Sequence, residues 1–153
     1  MLGMKRKHVR PIMSKIGKNE YLNFFDTMCN KDRPLVWVAT ISSDGRPHLV
    51  PTCFVTPLDD NRIAVGCVFI KKTLENVKRN KYVTLAAVRF AEGYDGYMIK
   101  GTGELVDDGV VFDQIKKAVY ESSKGKRTVY RTLIVTIEQV YSLRPASGSK
   151  RIL

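Results

Sequence analysis

Cysteine is scarce in this 153-residue sequence. Cys29, Cys53 and Cys67 make an odd number, and no C-x-x-C pair occurs. That count argues against a disulfide framework and against a zinc site. It argues for a reducing, cytoplasmic setting in which two of the three sit in strands as small buried apolar residues. Long apolar runs are also missing. None approaches the ~20 residues that a membrane-spanning helix needs, so no transmembrane helix is expected. The N-terminus, M-L-G-M-K-R-K-H-V-R-P, is basic but has no apolar stretch behind it, so it does not read as a secretory signal. Histidine supplies only His8, in that arm, and His48, just after a turn, and no catalytic acid–base pair stands out. Zinc-finger spacing, RNP-type aromatic motifs and internal repeats are absent as well.

What is present describes an ordinary soluble domain. Hydrophobic residues make up 44% and charged residues 27% of the chain, and one domain over 1–153, with a basic arm at 1–18 and a tail at 144–153, can bury a real core. Lys and Arg number 26 against 15 Asp and Glu, a net charge of +11. The excess is spread widely, densest at both ends and at Lys124–Arg131, and fits any anionic partner, from nucleic acid to a phosphorylated cofactor.

The chain is organised around Arg62–Leu85, which reads as strand, basic loop, short helix, strand. Ile63–Val68 is β-rich, Lys71 and Lys72 follow, and Leu74 and Val77 mark a helix over Thr73–Asn80 before the β-rich Tyr82–Phe90. Thr73 is placed as the N-cap, with Asn76 in the first turn. A helix start carries free N–H groups and the positive end of the dipole, and two lysines beside it make a place for a dianionic phosphate. A solvated turn with a capped helix accounts for the same residues.

The remaining segments follow in order. Asn19 is expected to cap a helix with Tyr21, Leu22, Phe25 and Met28 on one face. Leu35–Ser42 is a strand, and the turn S-D-G-R-P makes a hairpin with His48–Thr56. Pro51 has no N–H to give a ladder, so its strand belongs at an edge or bulge, leaving backbone near Val50, Thr52 and Cys53 open to a ligand. After the central unit come a loop at Ala91–Gly96, then a strand at Tyr97–Val106, whose Gly101 and Gly103 lie on one face and permit close approach of a backbone or a flat ligand. A helix with Val111, Phe112, Ile115 and Val119 follows, then a basic loop at Ser122–Arg131, a last strand over Thr132–Leu143 and a tail expected to be poorly ordered. Six strands and two or three short helices describe a small, mainly β barrel of α+β type.

The order of these segments resembles the pyridoxamine 5′-phosphate oxidase-like FMN-binding split barrels, nearest to their small bacterial FMN-binding members. Asp44-Gly45 with His48-Leu49-Val50, Asp60-Asn61-Arg62-Ile63, Lys72-Thr73 with Glu75-Asn76-Val77, Ile99-Lys100-Gly101 and Leu133–Gln139 carry the likeness, from about Leu35 to Leu143. It implies a six-stranded antiparallel Greek-key split barrel and a homodimer with FMN between its chains. Carried over, it implies Lys71, Lys72 and Thr73 at the phosphate with Asn76 nearby. Val50, Pro51, Thr52 and Cys53 fall at the isoalloxazine edge, with Gly66 and Cys67 as ring or ribityl neighbours. The arginine-bearing C-terminal segment of the full oxidases is not matched by S-L-R-P-A-S-G, so the likeness supports FMN better than vitamin B6 oxidation.

The function expected is therefore that of an FMN-dependent oxidoreductase or electron-transfer protein with a small-molecule or protein redox partner. Two alternatives stand beside it. One is a flavin-free basic barrel binding nucleic acid through Lys124, Lys126, Arg127, Arg131 and the tail. The other is an enzyme that uses the deazaflavin F420 or oxidises pyridoxamine phosphate.

Overall fold

The computed structural model describes residues 19–68, 70–145, 148 and 150–153, so the basic arm and His8 lie outside the described residues. A 3₁₀ helix, Glu20–Phe25, leads to strands β1 (Leu35–Ile41), β2 (Pro47–Thr52), β3 (Val55–Pro57) and β4 (Arg62–Cys67). Helix α1 (Lys71–Arg79), strands β5 (Tyr82–Ala91) and β6 (Gly93–Val106), helix α2 (Gly109–Ser122) and strand β7 (Arg131–Ser142) complete the chain. The strands form one antiparallel sheet in the order β2-β1-β5-β6-β7-β4-β3. Its two edges, β2 and β3, are joined by Cys53 and Phe54 alone, so the chain passes directly from one edge to the other and curls the sheet into a mainly β split barrel.

Seven strands stand where six are expected, because His48–Thr56 is broken at Cys53–Phe54. The break has a cause in hydrogen bonding. The Cys53 carbonyl accepts the Cys29 N–H and the Thr27 hydroxyl, each at 2.6 Å, while the Phe54 carbonyl accepts the Gly66 N–H at 2.8 Å. The backbone is thus claimed from two directions within two residues, just after a proline with no donor.

Alternation along the strands builds the core. Val36 and Val38 of β1, Ile63, Val65 and Cys67 of β4, Val83 and Leu85 of β5, Ile99 of β6, and Leu133 and Val135 of β7 fill the barrel. Leu22 and Phe25 of the 3₁₀ helix and Val77 of α1 join the same cluster. The opposite faces of β4 and β7, at Ala64 and Ile134, pack under Phe112, Ile115 and Val119 of α2. Gly103 admits α1, since a Cβ there would lie 3.1 Å from Val77 Cγ1, and a Cβ on Gly101 would strike the Thr136 carbonyl. These glycines serve contacts within the chain.

Three further expectations are corrected. The first helix is only a 3₁₀ segment without a side-chain cap from Asn19; it ends at Phe25, where Asp26 leaves helical geometry (φ −106°, ψ 83°), so Met28 lies beyond it in a turn with positive φ at Met28 and Cys29 (39° and 54°). Strands β5 and β6 run through the expected loop at Ala91–Gly96 as one hairpin, pairing Ala91 with Gly93. The end of the tail pairs with β7: Ser142 N–H donates to Lys150 O and Ile152 N–H to Val140 O, both at 2.8 Å. Strand β4 accompanies β7 only as far as Thr136, so the last part of β7 keeps an edge that the tail fills.

Candidate functional site

Strand β4 delivers the chain to the first turn of α1. The N-cap position is Ile70, with no side-chain cap, and Thr73 is the third residue of the helix, not its cap. The reason is that the helix begins two residues earlier than its apolar spacing indicates, with both lysines inside the first turn. Leu74 N–H bonds to Ile70 O at 3.2 Å, so the N–H groups of Lys71, Lys72 and Thr73 precede the first intrahelical bond. Lys71 is exposed, and so is Lys72, whose ammonium lies 3.6 Å from the exposed Glu75 carboxylate, a contact worth little in water.

Beneath the lysines, Thr73 is fully buried and its hydroxyl has no hydrogen-bond partner. Tyr21, Gln114 and Thr132 carry the other such atoms among the described residues, and they sit on the 3₁₀ helix, α2 and β7. Gln114 also has two lysines within a turn, Lys116 and Lys117, but its orphan is an acceptor oxygen; the orphan at Thr73 is a hydroxyl donor in the first turn of its helix, beside Lys71 and Lys72. A buried hydroxyl without a partner costs stability, and a phosphoryl oxygen is the acceptor it lacks. The donor set of two ammonium groups, a hydroxyl and first-turn N–H groups fits a phosphate.

Asn76 is buried and already engaged. Its amide donates to Thr40 Oγ1 at 3.0 Å and its carbonyl oxygen accepts from Arg79 Nη2 at 3.2 Å, so it fastens α1 to the barrel.

The β2 residues lie on a true sheet edge, paired only with β1. Val50 packs against the barrel core together with Ile70 and Leu74, which brings β2 and the first turn of α1 to the same core cluster. Pro51 is exposed opposite Trp37, and Thr52 is half-buried. Gly66 is turned toward α2, where a Cβ would meet Val119 Cγ2 at 2.9 Å, and Cys67 points into the core. Burial pushes the Cys67 thiol up to about 12, so it stays protonated and inert.

The cysteine count misleads about the other pair. Cys29 and Cys53 are joined as a disulfide, their Cα atoms 4.4 Å apart. An odd total says nothing about which pair the fold brings together, and 24 residues separate these two in sequence.

Two features escape the sequence reading. The outer face of β1, β2 and β5 is apolar. Trp37, 41% exposed, lies across from Pro51 and Ala86; Leu35 faces Val88; and Leu49, 59% exposed, faces Ala39. The alternation of L-V-W-V-A puts large apolar residues on both faces of β1, which is the signal that could have shown it. The second is an open cleft of about 470 Å³ at the 3₁₀ helix, lined by Phe24, Arg33, Arg89, Asp95, Tyr97 and Arg144 among others. Its cations are engaged: Arg144 forks onto Asp95 at 2.7 and 3.1 Å, and Arg89 stacks over Phe24 at 4.7 Å. The Arg144 hydrogen bonds hold the Asp95 carboxyl below its ordinary range. Among the described residues there is no cluster of metal-ligating side chains, and no helix is long and apolar enough to cross a membrane.

Known proteins share this architecture. HupZ of Group A Streptococcus is 22% identical, with a TM-score of 0.68 over 82% of this chain and 93% of its own. An FMN-binding protein from Syntrophomonas wolfei is 16% identical, with a TM-score of 0.69 over 81% and 86%. A protein described as an F420 reductase is 15% identical, with a TM-score of 0.58 over 81% and 98%. At such identities the likeness shows the fold alone. No curated protein matches the sequence. The family model for pyridoxamine 5′-phosphate oxidase matches residues 25–144, from the end of the 3₁₀ helix to just past β7. With all seven strands inside that match, the chain belongs to the pyridoxamine 5′-phosphate oxidase family.

Proposed function

We propose that this chain binds FMN between two copies of itself and acts as an oxidoreductase or electron-transfer protein. The observation that carries the reading is the buried, partnerless hydroxyl of Thr73 in a helix turn that also holds Lys71 and Lys72. A phosphate bound there accepts from the hydroxyl and first-turn N–H groups and is neutralised by the lysines. The edge strand β2, at Val50, Pro51 and Thr52, borders the ring together with Cys53 just after it, while Gly66 and Cys67 have backbone alone to offer. FMN, when bound, supplies the hydride or electron chemistry; the chain supplies binding, orientation and exclusion of water.

The apolar outer face supports the reading of a second copy. Leu35, Trp37, Leu49 and Val88 form a contiguous patch on three adjacent strands, and covering it removes a large apolar area from water. The patch adjoins β2, so the same contact closes over a flat ligand at that edge.

The fold is shared with a protein named for FMN and with one named for F420, so the test includes both ligands. Protein purified from an expressing cell is expected to carry a flavin spectrum, and protein stripped of it to rebind FMN more tightly than riboflavin or F420. Preference for F420, or no binding of any of the three, overturns the reading. No robust hydrogen peroxide production is expected with pyridoxamine or pyridoxine phosphate, because a second phosphorylated substrate needs an anion site of its own and the C-terminal arginine segment is unmatched. Turnover of either substrate overturns that part.

A further inference from the structure

We propose that Cys29–Cys53 is a redox-active disulfide, opened and closed by small thiols while the protein stays folded. The two cysteines differ in exposure: Cys29 lies on an exposed turn, and Cys53 is half-buried at the break between β2 and β3. An attacking thiolate therefore meets Cys29 as the more open target. The turn that carries it is strained, because Met28 and Cys29, neither of them glycine, both hold positive φ. Exposed or strained disulfides are the labile ones.

Opening the bond leaves the cysteines together. The Cys29 N–H and the Thr27 hydroxyl both donate to the Cys53 carbonyl, and Thr27 N–H donates to Val55 O at 2.9 Å. These bonds do not involve sulfur, so they hold the turn against the break in the dithiol and keep closure intramolecular. Cys67 offers the contrast of a thiol sealed in the core. The chemistry is thiol–disulfide exchange. A thiolate attacks Cys29 Sγ, the bond to Cys53 breaks, and a mixed disulfide forms on Cys29 as Cys53 leaves as a thiolate and takes a proton from water. A second thiolate attacks the outer sulfur of the mixed disulfide and releases Cys29 as a thiolate, which takes a proton from water. The sum is one protein disulfide and two small thiols giving a protein dithiol and one small disulfide, and the reverse reoxidises the pair. This inference does not depend on flavin.

Glutathione is the probe. The full chain is equilibrated in buffers of graded reduced-to-oxidised glutathione, quenched with acid, alkylated and weighed. The expected result is a single reversible transition in which two cysteines become alkylated together, with Cys67 reacting only after denaturation. Circular dichroism should stay unchanged throughout. In Cys53→Ser, the exposed Cys29 should trap the intermediate, seen as the mass of one added glutathione. A disulfide that resists reduction until the fold is lost is a fixed staple and overturns the proposal. Thiols that stay reduced in oxidised glutathione overturn it too, and the wild-type titration decides even if the variant does not fold.

Discussion

Asn76 donates its side-chain amide to the hydroxyl of Thr40 at 3.0 Å, in the buried seam between α1 and β1. Arg79 adds to the seam, reaching Ile41 O at 2.9 Å and the Asn76 carbonyl oxygen at 3.2 Å. Asn76→Ala leaves the Thr40 hydroxyl and an Arg79 donor short of a partner, and should cost about 1–3 kcal/mol. Urea unfolding is the measurement. Thr40→Val combined with Asn76→Ala should cost less than the sum of the two alone, because both act on one bond. Full additivity would show the seam to be unimportant.

Thr73 separates stability from binding. Thr73→Val replaces a partnerless buried hydroxyl with a methyl group of similar size, so the flavin-free protein should unfold at the same or slightly higher urea concentration. FMN affinity should nevertheless fall. A clear loss of stability without ligand would mean that the hydroxyl is already satisfied.

The lysines carry the charge. Each charge-assisted bond to a phosphate contributes about 1.5–3 kcal/mol. Lys71→Ala or Lys72→Ala should therefore weaken FMN by roughly 10- to 100-fold, and the exposed position of both places the loss toward the lower value. Riboflavin, without the phosphate, should bind poorly and hardly respond. Fluorescence titration with both ligands distinguishes a local site from the general attraction of a +11 chain, and equal losses for the two would displace the phosphate from this turn.

The apolar face predicts an assembly. Light scattering of the flavin-loaded protein should give twice 17.3 kDa, and Trp37→Glu or Leu49→Lys should give the monomer with its secondary structure intact. Flavin should be lost with the dimer. A monomer that keeps FMN at micromolar concentration would refute the shared site.

Asp95 ties stability to pH. Its carboxyl titrates below its ordinary value of 3.8 in the fold, chiefly through the Arg144 hydrogen bonds. The lowered value means that this contribution is fully present above the ordinary value and fades as pH falls through the folded one. Arg144 is 57% exposed, so water screens the contribution and salt shrinks it further. Arg144→Ala should lower stability slightly at neutral pH and converge with wild type in acid. A constant difference down to the lowest pH would assign the effect to packing.

The strands, the turn at S-D-G-R-P and the apolar stripe of α2 are legible because each is a local pattern: burial of one face imposes a period of 2 or 3.6 on adjacent residues. The phosphate turn is legible in part. Lys71, Lys72 and Thr73 are adjacent in the chain, so any helix starting near them brings cations and a hydroxyl to its N-terminus. The residue that begins the helix depends on how β4 hands the chain to the core, and there the spacing of Leu74 and Val77 points two residues too late.

The sequence by itself determined the barrel's strands, their antiparallel hairpins and a basic helix start, since each follows from residues within a few positions of one another. Tertiary structure alone decided the break at Cys53–Phe54, the Cys29–Cys53 bond, the engagement of Asn76 with Thr40 and the pairing of the tail on β7. Each joins groups that the chain keeps apart, by 36 residues for Asn76 and Thr40 and by 24 for the cysteines. Such partners are chosen by which backbone and polar groups the closed barrel leaves to be satisfied, and no local period records that choice.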